Sequence, residues 1–485
     1  MRSSTPTGRD GFLPILLANL LPLAGVVVLE WDPATLVCVY GLELFVTLLL
    51  AGGKALFAQQ PPPADREGVL TVSDAALVDK RGSVRPFDWL PPVYPRNVPF
   101  VLAVVGAVAM YLVFFGVVVV AIFDGDPGPT RPAVLGSVVA LAIGQLFETR
   151  REYFGRRRYE RVSPYGVVEV PARQLFVVLM ALGFLGAPLE SFERLVFVVV
   201  ASLKLFLEWS TVRAARADEG TNRFVDRIAS WFAGPTEDAA VDDREEAVHV
   251  PGTAPDARFR PVPTVVAADG LLRALRRTVF YLPFLTVAWF VALFVVVARV
   301  DSPVVFWLGV VGYLLLLVVI VGVQTVRHYL ARGTLEYQRR EDRLVAYDRL
   351  LAEPQWVARI DALRNPRVAN DHLTDRLLGT RTLRVTTGWG STETDRTLGP
   401  LAEPDRAVEA FELGLSTTDL EPLHRPIAAA AVGLGVGIVI AILGLQVVPG
   451  LSTETRFNAV MALPFLLVVP LLLWELAVPD EASDA

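Results

Sequence analysis

The chain has 485 residues, is 53% hydrophobic and carries a formal net charge of −6. So large an apolar share over this length argues against a soluble enzyme and for a multi-span membrane protein. The single cysteine, Cys38, excludes disulfides and cysteine metal sites, and the mildly acidic balance gives no support to nucleic acid as a partner.

Apolar runs near the roughly twenty residues needed to cross a bilayer fall at 12–29, 34–57, 98–123, 132–147, 174–189, 192–209, 279–298, 303–324, 427–448 and 457–478. An α-helical integral membrane protein of about ten spans is expected. The first run ends before Glu30-Trp31-Asp32-Pro33 with no small-residue cleavage site, so no removable signal is expected. Positive charge gathers after the even spans, at Lys54, Lys80 and Arg81, at Arg150, Arg151 and Arg156, and at Arg213, Arg216 and Arg223. The alternate loops are short and nearly free of it. By the positive-inside rule this is a multi-pass protein of the cell membrane with both termini in the cytoplasm.

The segment 235–263, with an acidic patch at 237–246, reads as a disordered linker after a six-span module, 1–234. Beyond it, 271–277 continues the seventh span inward and places Arg273, Arg276 and Arg277 at an anionic surface. Two-span hairpins at 264–326 and 426–485 then bracket a soluble segment, 327–425. In it, TLEYQRR (334–340) and RLVAYDRL (343–350) flank Glu341-Asp342 at hairpin spacing. Further strands are expected at 355–360, 382–387 and 394–398. The stretch 403–413 reads as a helix opened by Pro404. Several strands and one helix suggest a small α+β partly closed barrel capped by that helix.

Three stretches of this segment carry a resemblance. TLEYQRREDRLVAYDRLL, LTDRLLGTRTLRVTT and LGPLAEPDRAVEAFELGL resemble the bacterial-type pleckstrin-homology domain that prokaryotes tether to membrane helices, with LTDRLLGT (373–380) the most specific piece. The resemblance covers about a fifth of the chain. It implies an assembly module that contacts a protein partner or the membrane lipid. The N-terminal module resembles an uncharacterised haloarchaeal multi-span family of unknown function, through 19–57, PPVYPRNVPF (91–100), VPARQLFVVLMALGFLG and LKLFLEW (203–209). Relatives there are expected to carry histidines in the third, fifth and sixth spans, and in this chain those three spans have none. A lysine-poor, arginine-rich composition fits a halophilic source.

Two constellations are candidate sites. Asn19, Glu43 and Lys204 fall at similar depth within the first, second and sixth spans. An unpaired charge there costs at least about 2.5 kcal/mol, so the trio is either a midplane polar site of a transporter or channel, or an interhelical pair that holds the bundle together. The second reading is favoured, because broken helices and repeats are not evident. Arg327, Arg332, Arg339, Arg340 and Arg343 cluster around the soluble segment and could contact lipid headgroups. Interleaved acids at Glu336, Glu341, Asp342 and Asp348 favour ordinary positive-inside charge instead. His249, His328, His372 and His424 follow no ligand spacing and are expected at the surface. The glycines of GLGVG (433–437) lie in an apolar span and serve helix packing. With no catalytic motif, metal or cofactor expected, the chain reads as a non-enzymatic membrane scaffold.

Overall fold

In the computed structural model, residues 33–62, 69, 75–122, 132–186, 202, 206, 248–300, 303–390 and 393–478 are described. The chain divides into two compact units: Met1–Asp79 with Ser83–Glu246, and Lys80–Gly82 with Ala247–Ala485.

The first unit contains helices α1 (Pro33–Ala55), α2 (Val98–Ile122), α3 (Pro132–Glu148) and α4 (Pro164–Gly186). Their shared core holds Leu48, Val104, Tyr111, Phe115, Val168 and Leu175. Close approach is bought with a small residue, since a Cβ on Gly41 would collide with the Phe115 ring. Tyr111 donates to the Gly41 carbonyl at 3.0 Å. The PPVYPRNVPF stretch has a structural role. Buried Asn97 donates from Nδ2 to the carbonyls of Ala55 and Ala58, each at 2.8 Å, and so satisfies acceptors that the end of α1 would leave open.

The second unit opens with strand β1 (Ala257–Phe259), followed by α5 (Pro263–Val300) and α6 (Pro303–Arg332). Strands β2 (Leu335–Arg340), β3 (Arg343–Asp348) and β4 (Glu353–Arg359) then form an antiparallel sheet in the order β1-β2-β3-β4. A second sheet contains β5 (Arg364–Val368), β6 (Arg381–Thr387) and β7 (Thr394–Leu401), with the short helix α7 (Leu373–Leu378) between β5 and β6. Helix α8 (Pro404–Ala410) precedes α9 (Arg425–Val447) and α10 (Thr453–Ala477).

The expected hairpin, the later strands and the helix opened by Pro404 are all present. The expected barrel is not. The two sheets share one core of Tyr337, Leu344, Leu383, Leu398, Leu401 and Phe411, and α8 supplies Ala407 to it, but no ladder closes them among the described residues. At one edge a 3₁₀ turn, Ile360–Ala362, and Asn365 at φ +47° part β4 from β5. At the other, the Val262 N–H donates to the Pro400 carbonyl at 2.9 Å without extending into a pairing. The segment read as a disordered linker also needs correction in its second half. Its residues 257–259 pair with Tyr337, Gln338 and Arg339; residues 235–247 lie outside the described residues.

Three helices among the described residues are long and apolar enough to cross a membrane: Pro263–Val291, Phe306–Arg332 and Arg425–Val447. They mark a membrane protein, though not the ten spans expected. Of the other expected runs, 12–29 and 192–209 lie outside the described residues save 202 and 206. Those at 34–57, 98–123, 132–147, 174–189 and 457–478 coincide with α1, α2, α3, α4 and α10 over the residues described.

Trp356 of β4 packs against the shared core, with the Arg396 guanidinium 5.4 Å from its ring centre. Trp356→Asp should therefore destabilise the protein by roughly 3 kcal/mol, the low end for a lost core aromatic, with a buried charge added. A denaturant midpoint unchanged by that substitution would place the ring outside the core.

Candidate functional site

At 1.5 Å per residue α5 is about 57 Å long, against roughly 30 Å of hydrocarbon. One end must project, and its N-terminal turns carry Asp269, Arg273, Arg276 and Arg277. Asp269 is 5% exposed and collects partners from three elements. Its Oδ2 accepts from Arg273 Nε at 2.9 Å, one turn along α5, and lies 3.0 Å from His328 Nε2 of α6. Its Oδ1 accepts from Thr374 Oγ1 at 3.4 Å and lies 3.3 Å from His372 Nδ1. Gly270 lets the helices approach, because a Cβ there would stand 3.2 Å from His328 and from the Thr325 carbonyl.

His372, 2% exposed, immediately precedes α7. The LTDRLLGT stretch forms this short helix, and Gly379 closes it at φ +71°, donating to the Asp375 carbonyl at 3.0 Å. That turn seats His372 and Thr374 against α5. Asp371 extends the network: its Oδ2 accepts from Arg384 Nη2 at 3.0 Å and its Oδ1 lies 3.5 Å from His372. Burial pushes the Asp371 carboxyl up, but His372, Arg384 and Arg273 outweigh it and hold the group below its usual 3.8. The helix pair and the soluble domain thus meet on one buried carboxylate.

A second fixed point lies at Lys80–Gly82. The Lys80 ammonium, 4% exposed, pairs with Asp348 Oδ2 at 2.6 Å and donates to Thr334 Oγ1 and the Leu330 carbonyl. Asp348 also accepts from Thr334 Oγ1 and from the N–H groups of Leu350 and Leu351, at 2.7, 2.8 and 3.0 Å. Burial lowers the Lys80 pKa from 10.5 even beside this carboxylate. Next along, the Arg81 N–H donates to Gln355 Oε1 at 2.8 Å while Gln355 Nε2 donates back to the Arg81 carbonyl at 3.0 Å. Gly82, at φ +95°, sits where a Cβ would stand 3.0 Å from Leu351.

Three of the five expected headgroup residues, Arg339, Arg340 and Arg343, make contacts within the fold. Arg339 pairs with Glu412 at 2.6 Å. Arg340 donates to Gln338 Oε1 at 2.9 Å and to the Pro251 carbonyl at 3.1 Å. Arg343 reaches the His249 carbonyl at 3.5 Å. Arg327 and Arg332 are half-buried on α6. Of the intramembrane trio, Glu43 is half-buried on α1, while Asn19 and Lys204 lie outside the described residues. His249 and His424 are exposed as expected; His328 and His372 are not, and their common partner Asp269 carried no motif to signal it.

The carboxylates give a pH dependence. Glu336 is buried, which raises its pKa, but its bonds to Arg260 and Gln338 prevail and lower it from 4.5. Asp371 is likewise depressed from 3.8. A depressed folded pKa contributes stability that is fully present above the unfolded value and is lost as pH falls through the folded one. Unfolding midpoints should therefore hold from pH 7 to about 5 and fall below about 4.5. Constant midpoints down to pH 3 would deny these groups their role.

Residues 1–223, just under half of the chain, match a family of unknown function, DUF6498. Neither the curated proteins nor the solved structures offer a match to the chain. The family match is consistent with the uncharacterised N-terminal family expected from the sequence.

Proposed function

We propose that the chain is a non-enzymatic membrane scaffold whose soluble domain is a pleckstrin-homology-like assembly module facing protein partners or the lipid surface. The observation that carries this reading is the buried Asp269 junction, which fixes the domain to α5 and α6 rather than leaving it on a flexible tether. A fixed domain suits a platform. Arginines 339, 340 and 343 serve internal contacts, so the reading places partner contact at exposed apolar groups of the domain. Trp389, 68% exposed, and Leu377 and Leu378 of α7 are the leading ones. On the charge pattern of its loops, the protein sits in the cell membrane with the domain and both termini cytoplasmic.

Photo-crosslinking residues placed at Trp389 and Leu378 of the full chain, irradiated in native membranes, test the reading. Discrete protein or lipid adducts at these positions are expected, with none at exposed Asp361. Absence of adducts, together with solute flux through the purified protein in liposomes, would replace the scaffold with a transporter.

A further inference from the structure

The helices of the second unit leave a cleft beside the Asp269 junction, about 520 Å³ in volume, lined by α5, α9 and α10. Its walls are aliphatic, with Val436, Val439 and Ile440 from α9 and Leu467 and Leu471 from α10. At Gly435 a Cβ would stand 3.5 Å from Pro470, so α9 and α10 touch there. Lining residues on α9 run from Ala431 to Ile440, an advance of about 13 Å at 1.5 Å per residue. That is close to the roughly 15 Å of hydrocarbon in one leaflet. The slot has the length of an acyl chain.

Its other end is polar and lies toward the soluble domain, where Arg273, Arg276 and Asp371 line it with Trp474. The acids there differ in how firmly they are engaged. Asp269 is committed to Arg273 and the two histidines, and Asp371 to Arg384. Glu475 holds Arg276 at 3.3 Å, with both side chains 45% exposed. An exposed pair of this kind contributes little, so the Arg276 guanidinium can exchange it for a phosphate, which it binds bidentately. An indole at the same level suits the membrane interface.

We propose that this cleft seats one phospholipid with an anionic headgroup, taken from the leaflet on the side of the soluble domain. Its phosphate lies at Arg276, and an acyl chain lies along α9 and α10. The inference rests on these helices spanning a membrane, and it gives the scaffold a lipid that abuts the junction on which the domain is seated.

Full-length protein in mild detergent provides the test, with phosphatidylglycerol, phosphatidylcholine or inorganic phosphate added. Phosphatidylglycerol should raise the melting temperature saturably and leave one retained lipid per chain in native mass spectrometry. Phosphatidylcholine should do far less, and inorganic phosphate nothing. Arg276→Ala should weaken the phosphatidylglycerol effect about tenfold, as for one lost charge-assisted bond, and Arg276→Lys should restore part of it. Ile440→Trp, which fills the slot and spares the arginines, should abolish lipid retention without lowering the lipid-free melting temperature. Equal effects of the two lipids, stabilisation by inorganic phosphate alone, or undiminished retention in Ile440→Trp would each overturn the proposal. Failure of the crosslinks at Trp389 would remove the assembly reading and leave these outcomes untouched.

Discussion

Asp269→Ala should be among the most damaging single substitutions in the second unit, costing about 3–5 kcal/mol as expected when one partner of a buried charge network is removed. The substitution takes one anion from Arg273, His328, His372 and Thr374 together. No water-facing alternative exists for His372, which is 2% exposed. Asp269→Asn keeps the shape and one acceptor oxygen, so it should fall between the parent and alanine. Denaturant midpoints of the full chain in detergent read the difference. A loss under about 1 kcal/mol for Asp269→Ala, typical of an exposed pair, would mean that the junction is ornamental.

The Lys80–Asp348 pair should lose stability asymmetrically. Lys80→Met leaves Asp348 with three donors, from Thr334, Leu350 and Leu351, and should cost about 3 kcal/mol. Asp348→Leu orphans those donors as well as a buried ammonium, and should cost about 5 kcal/mol. The double substitution should cost less than the sum of the two, because neither charge is then left alone. Strict additivity in melting experiments would indicate that the two groups do not meet. Equal costs for the single substitutions would argue against the backbone bonds to Asp348.

How much of this was legible follows from the length of the signal each element carries. The β2–β3 hairpin, β6, β7 and α8 were readable because alternation, a polar turn pair and Pro404 act over neighbouring residues. Strand β1 was missed because three residues in a proline-rich stretch show no period, and it exists only through its pairing to β2. Strand β5 was missed because Asn365-Pro366 reads as a turn, and Asn365 does adopt positive φ. That same turn helps keep the sheets apart, so the barrel expected from strand count did not close. The Asp269 junction could not be read at all. Its members come from the start of α5, the end of α6 and the loop before α7, and each looks like ordinary surface polarity alone. One faint signal existed: the acid-glycine pair Asp269-Gly270 lies in a helix that must be approached closely by another. The LTDRLLGT stretch was legible as a unit, though not as the turn that seats His372.

A fixed soluble domain has one direct physical signature, a single distance between the domain and its helices. With Cys38→Ser as background, spin labels at Arg406 of α8 and Leu271 of α5 report it by pulsed dipolar spectroscopy in lipid nanodiscs. One narrow distance distribution is expected for the parent protein, broadening when Asp269→Ala is added. A distribution already broad in the parent and unchanged by Asp269→Ala would mean that the domain swings on a tether, contradicting the account.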